Sequence, residues 1–277
     1  MPVRIVQSKQ NARLKELRRT LAQPGRDAAG LAGIEGPHLI AEALRAKLSI
    51  ECVFVAQNAE HLIDGLHLPQ QTEMLLLPAE LLASALATET PQPVAALVRP
   101  REWAWKDIVA AGGNTQPLVL LLAGIQDPGN LGTILRSAEA FGASGVVALP
   151  GTVSAWNPKA VRASAGSLFR VPLLAAGIDE CFAHLNRAGA TVWTTATRDA
   201  VAAGEADLTR AAALIIGNEG SGVPQDAAMR ADHALTIPCP GPVESLNAAV
   251  AASVLLYEAA RQRASRAAQH NSARSER

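Results

Sequence analysis

Residues 127–142 read DPGNLGTILRSAEAFG and follow closely on the apolar run LVLLLAG of 118–124. An apolar run, a turn and an amphipathic stretch predict a strand, a loop and the start of a helix. The same alternation continues downstream. GVVALP (145–150), VPLL (171–174), TVWTTA (191–196), ALII (213–216) and HALTIP (233–238) read as strands. NPKAVRASAGSL (157–168), IDECFAHLNRAG (178–189), PQDAAMRA (224–231) and the long segment from Asn247 read as helices. Strands alternating with helices predict an α/β domain with a mostly parallel sheet and helices on both faces. Ligands of such sheets gather at the carboxyl ends of the strands. Three loops are expected there: DPGN (127–130), GNEGSGVP (217–224) and PCPGPVESLN (238–247).

Upstream, NARLKELRRTLA has helical period, predicting a helix over about 9–22. It is followed by LAGIEGPHLIAEALRA (31–46), the short β runs VFVA and MLLL, the helical LLASALA and the strand PVAALV. The expected organisation is a small α/β domain over 1–100, a linker over 101–116, a second domain over 117–264 and a disordered basic tail over 265–277. Trp103 and Trp105 of the linker are expected to pack at the domain junction.

Composition narrows the classes. The 277 residues are 49% hydrophobic and 18% charged, which suits a globular α/β protein. No apolar run approaches the roughly 20 residues of a spanning helix, and the N-terminus lacks the apolar core of a secretory signal. Cys52, Cys181 and Cys239 are odd in number and far apart. That spacing predicts free thiols in a reducing cytoplasm, with neither a disulfide framework nor a metal site. The formal net charge is zero, yet residues 1–26 carry seven Lys/Arg against one acid. Lys9, Arg13 and Arg18 lie outside the Leu stripe of the first helix and are candidate phosphate contacts, as are Lys159 and Arg162.

The loops carry the chemistry. Asn130 reads as an N-cap of the helix that follows it, and Arg136 is one of only two charges between Leu131 and Phe141. GNEGSG holds three glycines in six residues after an apolar strand, which permits close approach of a ligand to the main chain. No GKS or GKT follows it, so it is not a Walker loop. The chain also lacks the GxGxxG fingerprint and accompanying acid of a nicotinamide-binding sheet. In PCPGPVESLN, three prolines stiffen the approach to Ser245, read as an N-cap, and to Asn247.

Taken in order, Asn130, Gly132, Thr133 and Arg136, then Gly217, Glu219, Gly220 and Gly222, then Ile237, Pro238, Ser245, Leu246, Asn247 and Ala248 form three motifs. This set resembles the SpoU/TrmH-type RNA ribose 2′-O-methyltransferases of the SPOUT superfamily over roughly residues 116–262. NPKAVRASAGSLFRVP (157–172) resembles that family's intervening stretch, and Ser137 stands where the family often has Thr. The N-terminal part resembles an L30e-like RNA-binding domain, most recognisably in EGPHLIAEALRA. The resemblance implies a deep trefoil knot, a homodimer and S-adenosylmethionine as cofactor, held around Gly217, Asn218, Gly220, Ile237, Ser245 and Leu246. It implies transfer of methyl to a ribose 2′-hydroxyl, with Asn130, Arg136, Glu219, Ser245 and Asn247 as catalytic candidates. The matched Arg is assigned in the family as the group that activates the hydroxyl. A guanidinium is hard to deprotonate, so Arg136 is read here as fixing a phosphate and stabilising the developing alkoxide. Large-subunit ribosomal RNA is the expected substrate. Transfer RNA is the alternative, and a non-catalytic RNA-binding protein the rival.

Overall fold

The computed structural model describes residues 2–23, 30–86, 88–110, 116–243 and 245–275. They divide into two compact units, Met1–Glu102 with Ser154–Arg170, and Trp103–Val153 with Val171–Arg277. The second stretch of the first unit thus falls, in sequence, inside the expected 117–264 domain.

The first unit contains β1 (Val3–Ile5), α1 (Ala12–Ala22), β2 (Ala32–Glu35), α2 (Pro37–Arg45), β3 (Ser49–Ala56), β4 (Glu73–Leu77), α3 (Ala79–Ala83) and β5 (Val94–Arg99). Its sheet has the order β1-β4-β3-β5-β2, parallel through β1, β4 and β3 and antiparallel at β5. Helix α1 starts later than the periodicity suggested because Asn11 caps it, accepting the Leu14 N–H at 3.1 Å. Its Leu14, Leu17 and Leu21 are buried. The helix approaches β2 so closely that a Cβ at Gly33 would lie 2.7 Å from Thr20 Oγ1.

The second unit contains α4 (Trp105–Ile108), β6 (Leu118–Ala123), α5 (Pro128–Ala140) and β7 (Gly145–Ala148). Helix α6 (Pro158–Ala163) belongs to the first unit. The second then resumes with β8 (Leu173–Ala175), α7 (Ile178–Arg187), β9 (Thr191–Thr195), β10 (Val201–Ala202), β11 (Ala212–Gly217), α8 (Gln225–Arg230), β12 (His233–Thr236) and α9 (Ala248–Ser275). Its seven strands run β10-β12-β9-β11-β6-β7-β8, every pairing parallel. All six residues of β6 are buried, which is why it reads as an unbroken apolar run: both faces are covered. On one face Val119, Leu121, Val147 and Ile215 pack with Phe182 and Leu185 of α7. The alternate residues face α5 and α9, which pack on each other and touch β7 and β11 respectively.

Two expectations change in this unit. Trp105 stacks on His184 with ring centroids 4.4 Å apart and donates to Glu180 at 2.6 Å, so it packs inside the second unit. Residues 111–115 of the linker lie outside the described residues. Helix α9 continues to Ser275 and takes in most of the tail expected to be disordered. That stretch contains neither Gly nor Pro and is rich in Ala and Arg, both strong helix formers. Residues 276–277 lie outside the described residues.

Candidate active site

The strand order turns at β6 and β11, and the three loops singled out in the sequence leave the carboxyl ends of β6, β11 and β12. Helix α5 is capped by Asp127, whose carboxylate accepts the Asn130 N–H at 2.9 Å, with Pro128 as the first helical residue. Asn130 is therefore not the cap. It stands in the first turn with its side chain available.

That side chain joins the other two loops. A carboxylate only accepts hydrogen bonds, so the Asn130 Nδ2 donates to Glu219 and leaves its Oδ1 to accept from Asn247 Nδ2 at 3.1 Å. Asn247 Oδ1 in turn accepts the N–H groups of Ala249 (3.0 Å) and Val250 (3.3 Å), making Asn247, rather than Ser245, the cap of α9. A single directional chain thus runs from the start of α9 through Asn130 to Glu219. The first turn of α5 and the start of α9 are thus tied, through Asn130, to one carboxylate.

The loop after β11 is closed by paired Asn218 and Gly222 main-chain bonds of 3.0 and 2.9 Å. A Cβ at Gly217 would lie 2.3 Å from the Gly222 carbonyl carbon, so the loop can fold this tightly only on glycine. Asn218 Nδ2 donates to the Gly124 carbonyl at 2.9 Å, and its Oδ1 accepts from Gly220 (2.8 Å) and Ser221 (3.2 Å). Gly220, expected at the cofactor, instead has its N–H engaged by Asn218.

Beside this chain lies a cavity of about 490 Å³, lined by Gly217, Asn218, Glu219, Ile237, Ser245 and Leu246 among others. The volume lies in the range of sites for small organic ligands, roughly 300–1,000 Å³. Thr195, the last residue of β9, Thr197 just after it, and Cys239 and Val243 also line it. Sequence reasoning missed the 195–197 wall, whose only signal was its place at a strand's carboxyl end. Glu219 is the one ionised residue among the lining residues described, so a bound sulfonium would meet a carboxylate and no like charge. The cavity therefore fits S-adenosylmethionine in size, main-chain character and charge.

Arg136 is not part of this cluster. It is exposed on α5 and has no hydrogen-bond or ion-pair partner among the described residues. Six residues from Asn130, it points about 240° further round the helix, so Asn130 and Glu219 do not hold it within one chain. Its neighbour Ser137 meets Ser253 of α9 at 2.7 Å, and Phe141 packs edge-on against Tyr257 with centroids 5.8 Å apart. Next to these contacts α9 exposes Val250 (48%), Val254 (38%) and Tyr257 (57%).

The RNA-contact candidates all fall in the first unit. Lys9 and Arg162 are exposed and Arg18 is half-buried. The Lys159 N–H bonds to Asn157 at the start of α6. Arg13 is engaged by Glu16 at 2.9 Å and Glu73 at 3.4 Å, and those carboxylates hold its pKa above the usual arginine value. Among the described residues no group of three His, Cys, Asp or Glu is placed to hold a metal, and no helix is long and apolar enough to cross a membrane.

Residues 117–257 match the SpoU rRNA Methylase family, and residues 11–96 match the MRM3-like substrate binding domain. The chain is 32% identical to the Bacillus subtilis 23S rRNA (guanosine(2553)-2′-O)-methyltransferase RlmP, over 91% of this chain and 97% of that one. It is 35% identical to the Xanthomonas campestris 23S rRNA (guanosine-2′-O-)-methyltransferase RlmB, over 59% of this chain and 67% of that one. An AdoMet-bound rRNA methyltransferase from Sinorhizobium meliloti superposes with a TM-score of 0.80 at 28% identity, covering 94% of this chain and 98% of that one. The SpoU methyltransferase AviRb of Streptomyces viridochromogenes, also bound to AdoMet, superposes with a TM-score of 0.79 at 28% identity, covering 92% and 99%. The chain belongs to the SpoU rRNA Methylase family.

Proposed function

We propose that the protein transfers a methyl group from S-adenosylmethionine to a ribose 2′-hydroxyl of large-subunit ribosomal RNA. The observation that carries this is the hydrogen-bonded chain Asn247–Asn130–Glu219 at the rim of a main-chain-lined cavity. When bound, the cofactor supplies an electrophilic methyl on sulfur. The protein must then align the hydroxyl with it and manage one proton and one developing negative charge.

The main chain at Gly217, Ile237 and Leu246 holds the cofactor, and Glu219 faces its positive charge. Asn130 and Asn247 fix Glu219 in place. Arg136 binds the target phosphate and stabilises the developing alkoxide. It does so toward the cavity of a second copy. The apolar stripe Val250, Val254 and Tyr257 beside Arg136 is the surface a twofold partner covers. The trefoil knot implied by the resemblance involves this same C-terminal helix. The first unit supplies RNA affinity.

The test is incubation of the full-length protein with labelled S-adenosylmethionine and ribosomal RNA from cells lacking it. Label should enter a single ribose and make the adjoining linkage resistant to alkali. Label on a base, or only in transfer RNA, would sink the reading.

A further inference from the structure

Helix α2 ends in an unusual way. The Lys47 N–H bonds to the Leu44 carbonyl and the Leu48 N–H to the Ala43 carbonyl, each at 2.9 Å. These two bonds make a Schellman motif, in which the residue after the cap adopts left-handed backbone and is ordinarily glycine. Here it is Lys47, at φ +57°. A lysine one residue earlier would serve the helix dipole equally well on unstrained backbone. Strain retained at a side chain points to a use for that side chain.

Lys47 stands on a groove of about 730 Å³ within the first unit, formed by the end of α2 and the 65–71 loop. Its apolar part is Leu44, Leu66 and Pro69, and its polar part Arg45, Lys47 and His67, with no acid among the lining residues. Arg45 is 72% exposed. Its carboxylate partner Glu42 also accepts from Arg170 at 2.6 Å, so Arg45 does not hold that anion alone. On helix α1, Arg13 by contrast is held between two carboxylates, Glu16 and Glu73.

We propose that this groove is an RNA-binding site in which Arg45 and Lys47 take backbone phosphate and an unpaired base lies on Leu44, Leu66, Pro69 and the His67 ring. The pairing of phosphate with cations and of a base with apolar and imidazole surface is the chemistry by which single-stranded RNA is held. This deepens the methyltransferase reading and rests on it.

Lys47→Gly is the informative substitution, because glycine relieves the left-handed backbone while removing the charge. In the full-length protein it should melt at the same or a higher temperature and bind S-adenosylmethionine as the wild type does. It should bind ribosomal RNA about fivefold more weakly, with the slope of log affinity against log salt reduced by about 0.7. His67→Ala should weaken RNA binding further with a smaller change in slope. A Lys47→Gly, His67→Ala protein that binds RNA with wild-type affinity and slope overturns the proposal, while methyl transfer by the same protein leaves the enzymatic reading standing. Normal binding to naked RNA with weakened binding to ribosomal particles would assign the groove to a protein partner and equally overturn it. Wild-type protein that neither binds nor methylates RNA would defeat both.

Discussion

The Asn130 amide donates to the Glu219 carboxylate, linking the first turn of α5 to the loop after β11. Because Asn247 donates to the same amide's oxygen, the direction of every bond in the chain is fixed. Asn130→Asp replaces the donor by a carboxylate facing Glu219, and like charges at hydrogen-bond distance repel. Single-turnover methyl transfer should fall by about 10²-fold, the scale of losing one preorganised electrostatic contact. Adding Glu219→Gln places a donor opposite the introduced carboxylate and should recover part of the rate. A double variant no faster than Asn130→Asp alone would mean that the pair does not act as a unit.

Arg136→Ala should lower transfer by about 10²–10³-fold while leaving cofactor affinity near normal. The guanidinium is exposed on α5, and Arg136 is not among the residues that line the cavity. Its charge is needed where the hydroxyl loses its proton, a demand made only in the transition state. Arg136→Lys should rescue poorly, because an ammonium lacks the planar fork. Calorimetry beside single-turnover kinetics decides the matter. A variant that simply fails to bind cofactor would remove Arg136 from this role.

How far the sequence carried depended on what each element buries. β6 and β11 are covered on both faces, so LVLLLA and AALIIG announce themselves as strands. β1 and β10 do not, being three and two residues long and largely exposed. The capping residues misled in a consistent way. Asn130 and Ser245 are both competent caps, and the choice went to Asp127 because Pro128 follows it and to Asn247 because it directly precedes α9. On α9, Leu255 is fully buried while Val250, Val254 and Tyr257 form the exposed apolar stripe, because 250, 254 and 257 share a helical face that 255 does not. Arg136 was least legible of all, since among the described residues no hydrogen bond or ion pair ties its side chain to the rest of the site.

That stripe gives a prediction about assembly. Val254→Glu places a charge in the middle of Val250, Val254 and Tyr257, where burial against a partner would strip its water. The wild type should sediment as a dimer at micromolar concentration and the variant as a monomer. Methyl transfer should be lost with the dimer while the fold, followed by circular dichroism, is kept. A wild-type protein that is monomeric and active would exclude a site shared between two copies.

The cysteines provide an internal probe of the cavity. Cys52 and Cys181 are both fully buried. Burial raises the Cys52 thiol far above its usual range, with Glu73 adding to the effect, and pushes Cys181 up to about 12, with Glu180 adding there. Only the thiolate is nucleophilic, so neither group should react between pH 7 and 9, and raising the pH within that window should not recruit them. Cys239 is half-buried and lines the cavity, its Sγ 3.4 Å from the Ile237 carbonyl oxygen. A disulfide reagent applied to the native protein at pH 8 should therefore modify one thiol of the three, with all three reacting after denaturation. Because the Cys239 side chain faces the space assigned to the cofactor, saturating S-adenosylmethionine should slow that one reaction about tenfold or more, following the fraction of sites left free. Inorganic phosphate at the same concentration should not. Modification of Cys239 at an unchanged rate under saturating cofactor would place the cofactor elsewhere. Native reactivity of Cys181 would show that α7 opens from the sheet it covers.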